Sequence, residues 1–192
     1  MKILIASNNK GKIAEFKKYL NEYEVYSLKD LGINIDVEED GTTYEENSYK
    51  KAYEISKLVE DYIVVSDDSG LEVEALDNYP NIYTSRCAGI ENEGNSEVLC
   101  KHILEKMKNK ENRNAKFVCV ITIIYPNGEF KCIRKEAYGK ITKEIQGECK
   151  FGLNPIFYNE KYKDTYANLS VDIRNEISHR GLVLKELAKI LN

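Results

Sequence analysis

The stretch AKFVCVITIIYPNGEFKCIRKEAYGKI, residues 115–141, decides the fold class of this sequence. Two long runs rich in β-branched and aromatic residues flank Pro126, Asn127 and Gly128, which are strong turn residues. The pattern therefore predicts a long β-hairpin. Cys119 and Cys132 fall within its strands, and we expect both side chains to lie in the core.

The segments on either side of this hairpin alternate between strand and helix patterns. Short apolar runs predict strands at 2–6, 24–28 and 63–65, and the last of these is expected to enter a turn at 66–70. Apolar residues at three- and four-residue spacing predict helices over about 10–20, 44–60, 95–108 and 180–191. This alternation predicts one α/β domain over residues 1–192, with a mixed sheet, flanking helices and room for two lobes around a cleft.

The composition is typical of a soluble globular protein: of 192 residues, 42% are hydrophobic and 31% are charged. The net charge of −4 argues against a partner held by its phosphate backbone, such as bulk nucleic acid, and against an anionic membrane surface. The N-terminus shows no secretory signal pattern, and no apolar run approaches the roughly 18 residues of a membrane-spanning helix. We therefore expect a cytoplasmic protein.

The number and spacing of the cysteines also agree with a cytoplasmic location. They number five, are widely spaced and form no CxxC pair, and the chain has only two histidines. A zinc site is therefore not expected, and reduced thiols are the simplest interpretation.

The first polar motif, SNNKGK at 7–12, follows the opening strand and begins the first predicted helix. Ser7, Asn8 or Asn9 is suited to cap this helix, which requires no further function. Lys10 and Lys12 lie in the first turn, where cations oppose the helix dipole by roughly 0.3–1 kcal/mol each. Free amides, small polar side chains and lysines also suit a phosphate cradle, so both interpretations stay open.

The second motif, Asp67-Asp68-Ser69-Gly70, stands at the carboxyl end of the third predicted strand. Ligands of α/β sheets bind beyond such strand ends. One interpretation is a turn with two exposed acids. The other is a Mg²⁺ ligand or general base, with the Ser69 hydroxyl contacting a bound oxygen.

Acidic residues also cluster before and within the start of the second helix, at Glu38, Glu39, Asp40, Glu45 and Glu46. Acids at a helix N-terminus are stabilising without any function, and Glu46 is spaced to pair with the lysine four residues on. Glu39 or Glu46 becomes a metal ligand only if the fold brings it to the Asp67–Asp68 turn.

The sequence ISHRG at 177–181 opens the last helix, with Ser178 as a natural N-cap. His179 and Arg180 then bring positive charge to the first turn, and Arg174 lies just upstream. A bound anion makes this arrangement favourable, because Arg presents a bidentate fork to phosphate. The alternative is a solvated basic cap.

The segment FGLNPIF at 151–157 predicts a rigid turn between strands. Phe151 and the amide of Asn154 are suited to gripping a nucleobase by stacking and edge hydrogen bonds. The alternative is a hydrophobic turn that packs on the core.

In their order along the chain, SNNKGK, EENSYKKA, SDDSGL, FGLNPIF and ISHRG resemble the motifs of the inosine/xanthosine triphosphate pyrophosphatase family. The resemblance runs from Ser7 to Arg180 and so covers nearly the whole chain. It implies an elongated α/β fold of two lobes with a central cleft, usually a homodimer. It also implies Mg²⁺-dependent hydrolysis of non-standard purine nucleoside triphosphates (ITP, dITP or XTP) to the monophosphate and pyrophosphate.

The resemblance also implies roles for individual residues. Asp68 matches a metal ligand and general base, Glu39 a metal ligand in some members, and Glu46 the acid of an ENA-type segment and the alternative group for activating water. Phe151 would stack on the purine, and His179 would donate to its C6 keto oxygen. The substrate-binding residues expected from the motifs and the resemblance together are Ser7, Asn8, Asn9, Lys10, Gly11, Lys12, Lys51, Ser69, Arg86, Phe151, Gly152, Leu153, Asn154, Arg174, His179 and Arg180.

Three departures from the family pattern bear on specificity. Ser7-Asn8-Asn9 replaces Thr-Gly-Asn, Arg174 replaces Lys, and Leu153-Asn154 replaces an aromatic residue followed by Asp. The last change removes a stacking ring and turns a carboxylate that reads the base into an amide. Two alternatives therefore stay open: a related nucleotide pyrophosphatase with another base preference, and an idle nucleotide-binding protein. The presence of Lys12, Glu46 and Asp68 argues against the second.

Overall fold

The computed structural model describes residues 2–191, which form a mixed α/β fold with eight strands and five α-helices. The elements in chain order are β1 (Lys2–Ile5), α1 (Lys10–Tyr19), β2 (Glu24–Ser27), α2 (Tyr44–Ser56), β3 (Tyr62–Val73), β4 (Tyr79–Asn81), α3 (Ser96–Lys106), β5 (Asn114–Ile124), β6 (Phe130–Ile141), β7 (Phe157–Asn159), β8 (Asp164–Thr165), α4 (Val171–Ile177) and α5 (His179–Leu191). The strand order is β2-β1-β3-β5-β6-β7-β8, and β4 pairs with β3. The predicted α/β class with a mixed sheet is confirmed.

The chain forms two compact units. Within the described residues, unit 1 contains 2–68, 119–135 and 183–191, and unit 2 contains 69–118 and 136–182. Strands β3, β5 and β6 contribute residues to both units, whereas each unit has apolar clusters of its own.

In unit 1, β1 is parallel to β2 and to the first half of β3, with Lys2 opposite both Glu24 and Tyr62. Its side chains alternate between two apolar clusters. Ile3 and Ile5 pack in a cluster with residues of α1 and α5, whereas Leu4 packs in another with residues of α2. Both faces of the strand are thus covered by helices, as parallel strands require, and this explains the continuous apolar run at the start of the sequence.

In unit 2, one apolar cluster contains residues of β3, α3, β5 and the segment after β6. Its centre is aromatic: the Phe117 ring lies 4.4 Å from the Phe157 ring, and Tyr166 packs edge-on against Phe157 at 4.9 Å. The strands of this unit also form the antiparallel pairs β3–β4, β6–β7 and β7–β8.

The predicted hairpin is confirmed as β5 and β6. The turn is closed by Tyr125 N donating to Glu129 O and Gly128 N donating to Tyr125 O, both at 2.9 Å, and Gly128 has a φ of 86°. Cys119 is buried as predicted. Cys132 is exposed, which corrects the expectation for it, because β6 buries only its inward-facing residues at this end.

The third strand is much longer than predicted. Residues 66–70, expected as a turn, continue β3 to Val73, and all of β3 from Ile63 onward is buried except Ser69. The polar residues at 66–69 suggested a turn. In the fold, partners such as Lys12 and Asn47 contact the two buried acids, so the strand continues through them. The second helix ends at Ser56 rather than near residue 60, and β4, β7, β8 and α4 were not predicted.

None of the helices in the described part of the chain is both long and apolar enough to cross a membrane. All five cysteines fall within residues 2–191 and are free thiols.

Candidate functional site

The first group of polar side chains surrounds the end of the unit 1 half of β3. Asp67 and Asp68 are 1% and 6% exposed, which rules out the interpretation of two exposed acids. Lys12, in the first turn of α1, places Nζ 2.9 Å from Asp67 Oδ2. This ion pair explains a cation in a helix turn where the dipole opposes it: a buried carboxylate lies in front of that turn.

The environment of Asp68 strongly perturbs its carboxyl group. Burial raises its pKa to about 6, and the charge of Glu39 acts in the same direction. Lys51, Lys12 and a hydrogen bond from Asn47 act against this rise. The group is therefore a stronger base at neutral pH than an exposed carboxylate, which is the condition for accepting a proton from water.

Lys51 on α2 is the cation that faces most of these acids. Burial lowers its pKa, but the charges of Asp67, Glu39 and Asp68 outweigh burial, so the pKa lies above its ordinary value. Its ammonium forms an ion pair with Glu39. Three carboxylates and two ammonium groups leave this cluster with one negative charge in excess.

The donor set of this cluster fits a hard divalent cation. Asp68 and Glu39 offer carboxylate oxygens, the ligands that Mg²⁺ prefers. A cation would relieve two costs that the structure shows, namely the burial of the Asp68 carboxylate and its repulsion by Glu39. No group of three or more His, Cys, Asp or Glu placed to hold a metal occurs within residues 2–191.

The turn before α1 carries the predicted phosphate motif. Asn9 is the N-cap, with Oδ1 accepting from Lys12 N at 3.1 Å, and Ser7 Oγ accepts from Asn9 N at 3.2 Å. Asn8, Lys10 and Gly11 are exposed. Capping by Asn9 is confirmed, and the phosphate-binding role of this turn stays a prediction.

Glu46 is held in a capping arrangement at the start of α2. Thr43 Oγ1 accepts from Glu46 N, and the Glu46 carboxylate accepts from the backbone and hydroxyl of Thr42 at 2.7 and 2.8 Å. These bonds from Thr42 lower the pKa of Glu46. Lys50, the suggested partner of Glu46, instead pairs with Asp40 at 2.6 Å.

The second group of polar residues lies in unit 2. Arg180 is 6% exposed, and its Nη2 donates to Ser69 Oγ at 3.1 Å. Its guanidinium also lies 6.0 Å from the centre of the Phe151 ring, which is 47% exposed. Ser178 Oγ accepts from Gly181 N at 3.1 Å, so the predicted cap of α5 is confirmed.

His179 stacks on Phe117, with ring centres 4.7 Å apart and planes 18° apart. This contact fixes the imidazole plane by packing against the aromatic centre of unit 2. The histidine therefore presents a defined ring edge rather than a freely rotating one.

The remaining residues predicted to contact substrate differ in what surrounds them. Leu153 is 1% exposed and packs in the apolar cluster of unit 2, and its assignment as a substrate contact stays a prediction. Arg174 Nη1 donates to Tyr166 O at 3.1 Å, and Arg86 lies over the Tyr83 ring. Gly152 has a φ of 49°, and its carbonyl accepts from Ser96 Oγ. Asn154 begins a short 3₁₀ helix.

Sequence analysis missed Asn47. This side chain is 1% exposed, and its Nδ2 donates to Asp68 Oδ2 at 3.2 Å. A signal was available: Asn47 lies four residues before Lys51, and Ser48 four before Ala52, so polar residues stand on the buried side of α2. Spacing alone does not show which acid they face.

The fold and these side chains define an α/β protein with a cluster of buried carboxylates and lysines in unit 1 and a buried arginine in unit 2. The sequence model of the Ham1 family matches residues 3–190, and the chain belongs to this family.

Individual relatives agree with this. The chain is 43% identical to the dITP/XTP pyrophosphatase of Clostridium perfringens, with 97% of this chain and 95% of that protein covered. It is 38% identical to the dITP/XTP pyrophosphatase of Bacillus subtilis, with 98% and 96% covered. Among solved structures, the Staphylococcus aureus Ham1 protein matches with a TM-score of 0.91 and 40% identity over 100% of this chain and 98% of that one. The Coxiella burnetii HAM1 protein matches with a TM-score of 0.90 and 31% identity over the same shares.

Proposed function

We propose that this chain hydrolyses non-standard purine nucleoside triphosphates, namely ITP, dITP and XTP, to the monophosphate and pyrophosphate. The observation that carries the proposal is the buried Asp68, with a pKa of about 6, beside Lys51 and Glu39. The names of the Clostridium and Bacillus relatives support the same reaction and substrate class.

The reaction adds one water across the bond between the α and β phosphates. The water oxygen attacks phosphorus, its proton goes to a base, and pyrophosphate leaves as the phosphoanhydride bond breaks. Such transfers depend on charge neutralisation and in-line positioning more than on covalent chemistry. Lys12 and Lys51 in unit 1 are cations suited to this charge neutralisation.

We assign the base to Asp68 rather than Glu46. Burial raises the pKa of Asp68, whereas hydrogen bonds from Thr42 lower that of Glu46 and occupy its carboxylate with capping. A base whose pKa lies near the working pH accepts a proton more effectively. Glu46 then acts by holding the start of α2.

Asp68 and Glu39 are the residues that would hold Mg²⁺, which supplies charge neutralisation at phosphate oxygens when bound. Lys12 and Lys51 would neutralise further charge on the polyphosphate. Either lysine would exchange a carboxylate partner for a phosphate oxygen or share both.

In unit 2, Arg180 and Ser69 are assigned to phosphate or sugar oxygens. Phe151 would stack on the purine, and His179 would donate to its C6 keto oxygen, which adenine lacks. Asn154 is assigned to the base edge. Because the Asn154 amide offers a donor as well as an acceptor, we expect it to set the order of preference among keto purines.

The decisive experiment measures pyrophosphate release from a panel of triphosphates, with Mg²⁺ and with EDTA. We expect dITP, ITP and XTP to be hydrolysed at least about 10-fold faster, as kcat/KM, than dATP, dGTP, dCTP and dTTP, which corresponds to about 1.4 kcal/mol or more. Preferred hydrolysis of a pyrimidine or a standard purine would replace the substrate class. Binding without release from any member would identify an idle nucleotide-binding protein.

We also propose that the chain works in the cytoplasm as a homodimer and binds neither nucleic acid nor membranes. The family resemblance supports the dimer, and the net charge of −4 supports the absence of polyanionic partners. Sedimentation equilibrium at micromolar concentration tests the dimer, and a single monomeric species would contradict it.

A further inference from the structure

Asn47 makes two hydrogen bonds with the two ends of one amide. Its Nδ2 donates to Asp68 Oδ2 at 3.2 Å, and its Oδ1 accepts from Gly41 N at 2.8 Å. The two partners fix which end is which, because a carboxylate needs a donor and a backbone N–H needs an acceptor. The side chain therefore connects β3 to the loop before α2.

The close approach of that loop depends on the residue at position 41. A Cβ added to Gly41 would lie 2.7 Å from Asn47 Oδ1 and 2.8 Å from Glu46 Cβ, closer than such atoms pack. Two residues earlier stands Glu39, whose carboxylate pairs with Lys51. The loop that carries Glu39 is thus attached to α2 at Gly41 and at Lys51.

Other residue types would not serve both partners. Aspartate at position 47 would place a second carboxylate against Asp68, and leucine would leave the Gly41 N–H and an Asp68 oxygen without this partner in a buried place. Glutamine offers the same groups on a longer stem. An amide of this length satisfies both bonds at once.

We propose that Asn47 is a positioning residue for the divalent cation, holding the Asp68 carboxylate and, through Gly41, the loop of Glu39 in one arrangement. This inference rests on the proposed function, in which those two carboxylates hold Mg²⁺. In this role Asn47 acts through its bonds to Asp68 and Gly41 and is not itself assigned as a ligand. It acts as outer-shell partners of metal ligands do, whose removal commonly lowers metal affinity 10- to 100-fold.

The test compares Asn47→Leu with Ser48→Ala. Ser48 is the next residue of α2, and its hydroxyl lies 3.0 Å from Ser66 Oγ in the same buried layer against β3. Ser48→Ala therefore removes a buried contact between the same helix and strand without touching Asp68 or Gly41. Both variants are expected to lose stability, but only one is expected to lose the metal.

The first measurement is Mn²⁺ binding to the free protein, followed by electron paramagnetic resonance. We expect the Mn²⁺ dissociation constant to rise about 10-fold or more in Asn47→Leu and to stay within about twofold in Ser48→Ala. The second is hydrogen exchange at the Gly41 amide, which we expect to accelerate at least 10-fold in Asn47→Leu alone. The third is the Mg²⁺ concentration for half-maximal pyrophosphate release, which should rise while kcat at saturating Mg²⁺ changes less.

The outcomes separate this inference from the proposed function. If the unaltered protein releases no pyrophosphate from any triphosphate, the proposed function is wrong. If it releases pyrophosphate but binds no Mn²⁺, or Asn47→Leu binds Mn²⁺ as tightly as Ser48→Ala, the positioning role is overturned and the function stands. Unchanged exchange at Gly41 would overturn the link to the loop. If Asn47→Leu does not fold, Gly41→Ala takes its place, with the same expectations for Mn²⁺.

Discussion

At the scale of single residues, burial separates two carboxyl groups that the sequence offers equally as bases. Asp68 lies at the end of a buried half-strand with its pKa raised to about 6, whereas Glu46 is exposed and accepts hydrogen bonds from Thr42. Neither the burial of Asp68 nor the hydrogen bonds of Glu46 can be read from the amino-acid sequence. Both follow from where β3 and the start of α2 place their side chains.

Asp68→Asn is expected to lower kcat at least about 100-fold, because an amide cannot accept the proton of the attacking water. Nucleotide binding should change less than 10-fold, since the lysines and arginine remain. Single-turnover assays and equilibrium binding measure the two quantities. Glu46→Gln, which keeps its capping oxygen, is the matched control and should lower kcat less than about 10-fold. The reverse order would assign the base to Glu46.

The same burial predicts a pH dependence of stability in metal-free protein. Between about pH 4 and pH 6 the folded chain keeps the proton of Asp68, while the unfolded chain has lost it, so this group's contribution to stability falls as pH rises. Over about two pH units at about 1.4 kcal/mol each, the difference reaches about 3 kcal/mol. Urea unfolding of the protein and of Asp68→Asn in EDTA measures it. The free energy of unfolding of Asp68→Asn should rise relative to that of the original protein as pH increases from 4 to 6. A difference between the two that does not change with pH would contradict the assigned pKa.

Phe151→Ala tests the stacking role of an exposed ring. Loss of base stacking is worth roughly 1–3 kcal/mol, so KM should rise about 5- to 150-fold with little change in kcat. Because every base has a π face, the effect should be similar for ITP and XTP. Phe130→Ala removes an exposed ring of unit 1 that has no assigned role, and its KM should be unchanged.

At the scale of elements, sequence periodicity predicted the helices and strands that bury one face in an apolar core. The hairpin β5–β6 and helices α1, α3 and α5 follow from apolar spacing and turn residues, because each buries one clear face. The extension of β3 through Asp67 and Asp68 was not predictable, since the side chains that face these two acids, Lys12, Lys51 and Asn47, come from other elements of the chain. Cys132 shows the opposite kind of error, because a strand residue that was expected in the core is exposed.

The candidate site, too, could be predicted from the sequence only in part. The residue types and their order identify which motifs matter, and Asn9 and Ser178 are predicted as caps from local rules alone. Asn47 and the burial of Leu153 depend on which surface meets which. Contacts of that kind require the three-dimensional fold.

The junction of α4 and α5 offers a prediction at this scale. A Cβ at Gly181 would lie 1.9 Å from Asn175 O, so α4 and the start of α5 approach closely only because position 181 carries no side chain. Gly181→Ala should lower the free energy of unfolding by about 1–3 kcal/mol through overpacking. It should also lower kcat/KM, because His179 and Arg180 lie in the same turn.

Urea unfolding and steady-state kinetics measure both effects. Lys185→Ala changes an exposed residue one turn further along α5 and should alter stability by no more than about 0.5 kcal/mol. A Gly181→Ala protein as stable and active as Lys185→Ala would show that the helices separate without cost.

At the scale of the whole molecule, each unit contains an apolar core built from its own residues. Neither core includes the carboxylates assigned to Mg²⁺, and no disulfide links the described residues. Folding should therefore be independent of the metal on which turnover is proposed to depend.

EDTA is expected to reduce pyrophosphate release to the background rate and to leave the far-ultraviolet circular dichroism spectrum unchanged. Adding excess Mg²⁺ should restore the rate, whereas Ca²⁺, larger and more flexible in coordination, should restore it only partly. Loss of the spectrum in EDTA would mean that the ion is structural. Full turnover in EDTA would remove the metal from the mechanism.

The enclosure of Lys51 among three acids has a chemical consequence beyond turnover. Acylating reagents attack only the neutral amine, and the raised pKa keeps less of this lysine neutral, while its side chain is 15% exposed. Outer lysines such as Lys108 and Lys189, 69% and 75% exposed, meet such electrophiles first. Amine coupling to a solid support, or spontaneous acetylation, is therefore expected to modify the exposed lysines and to leave Lys51 largely unmodified.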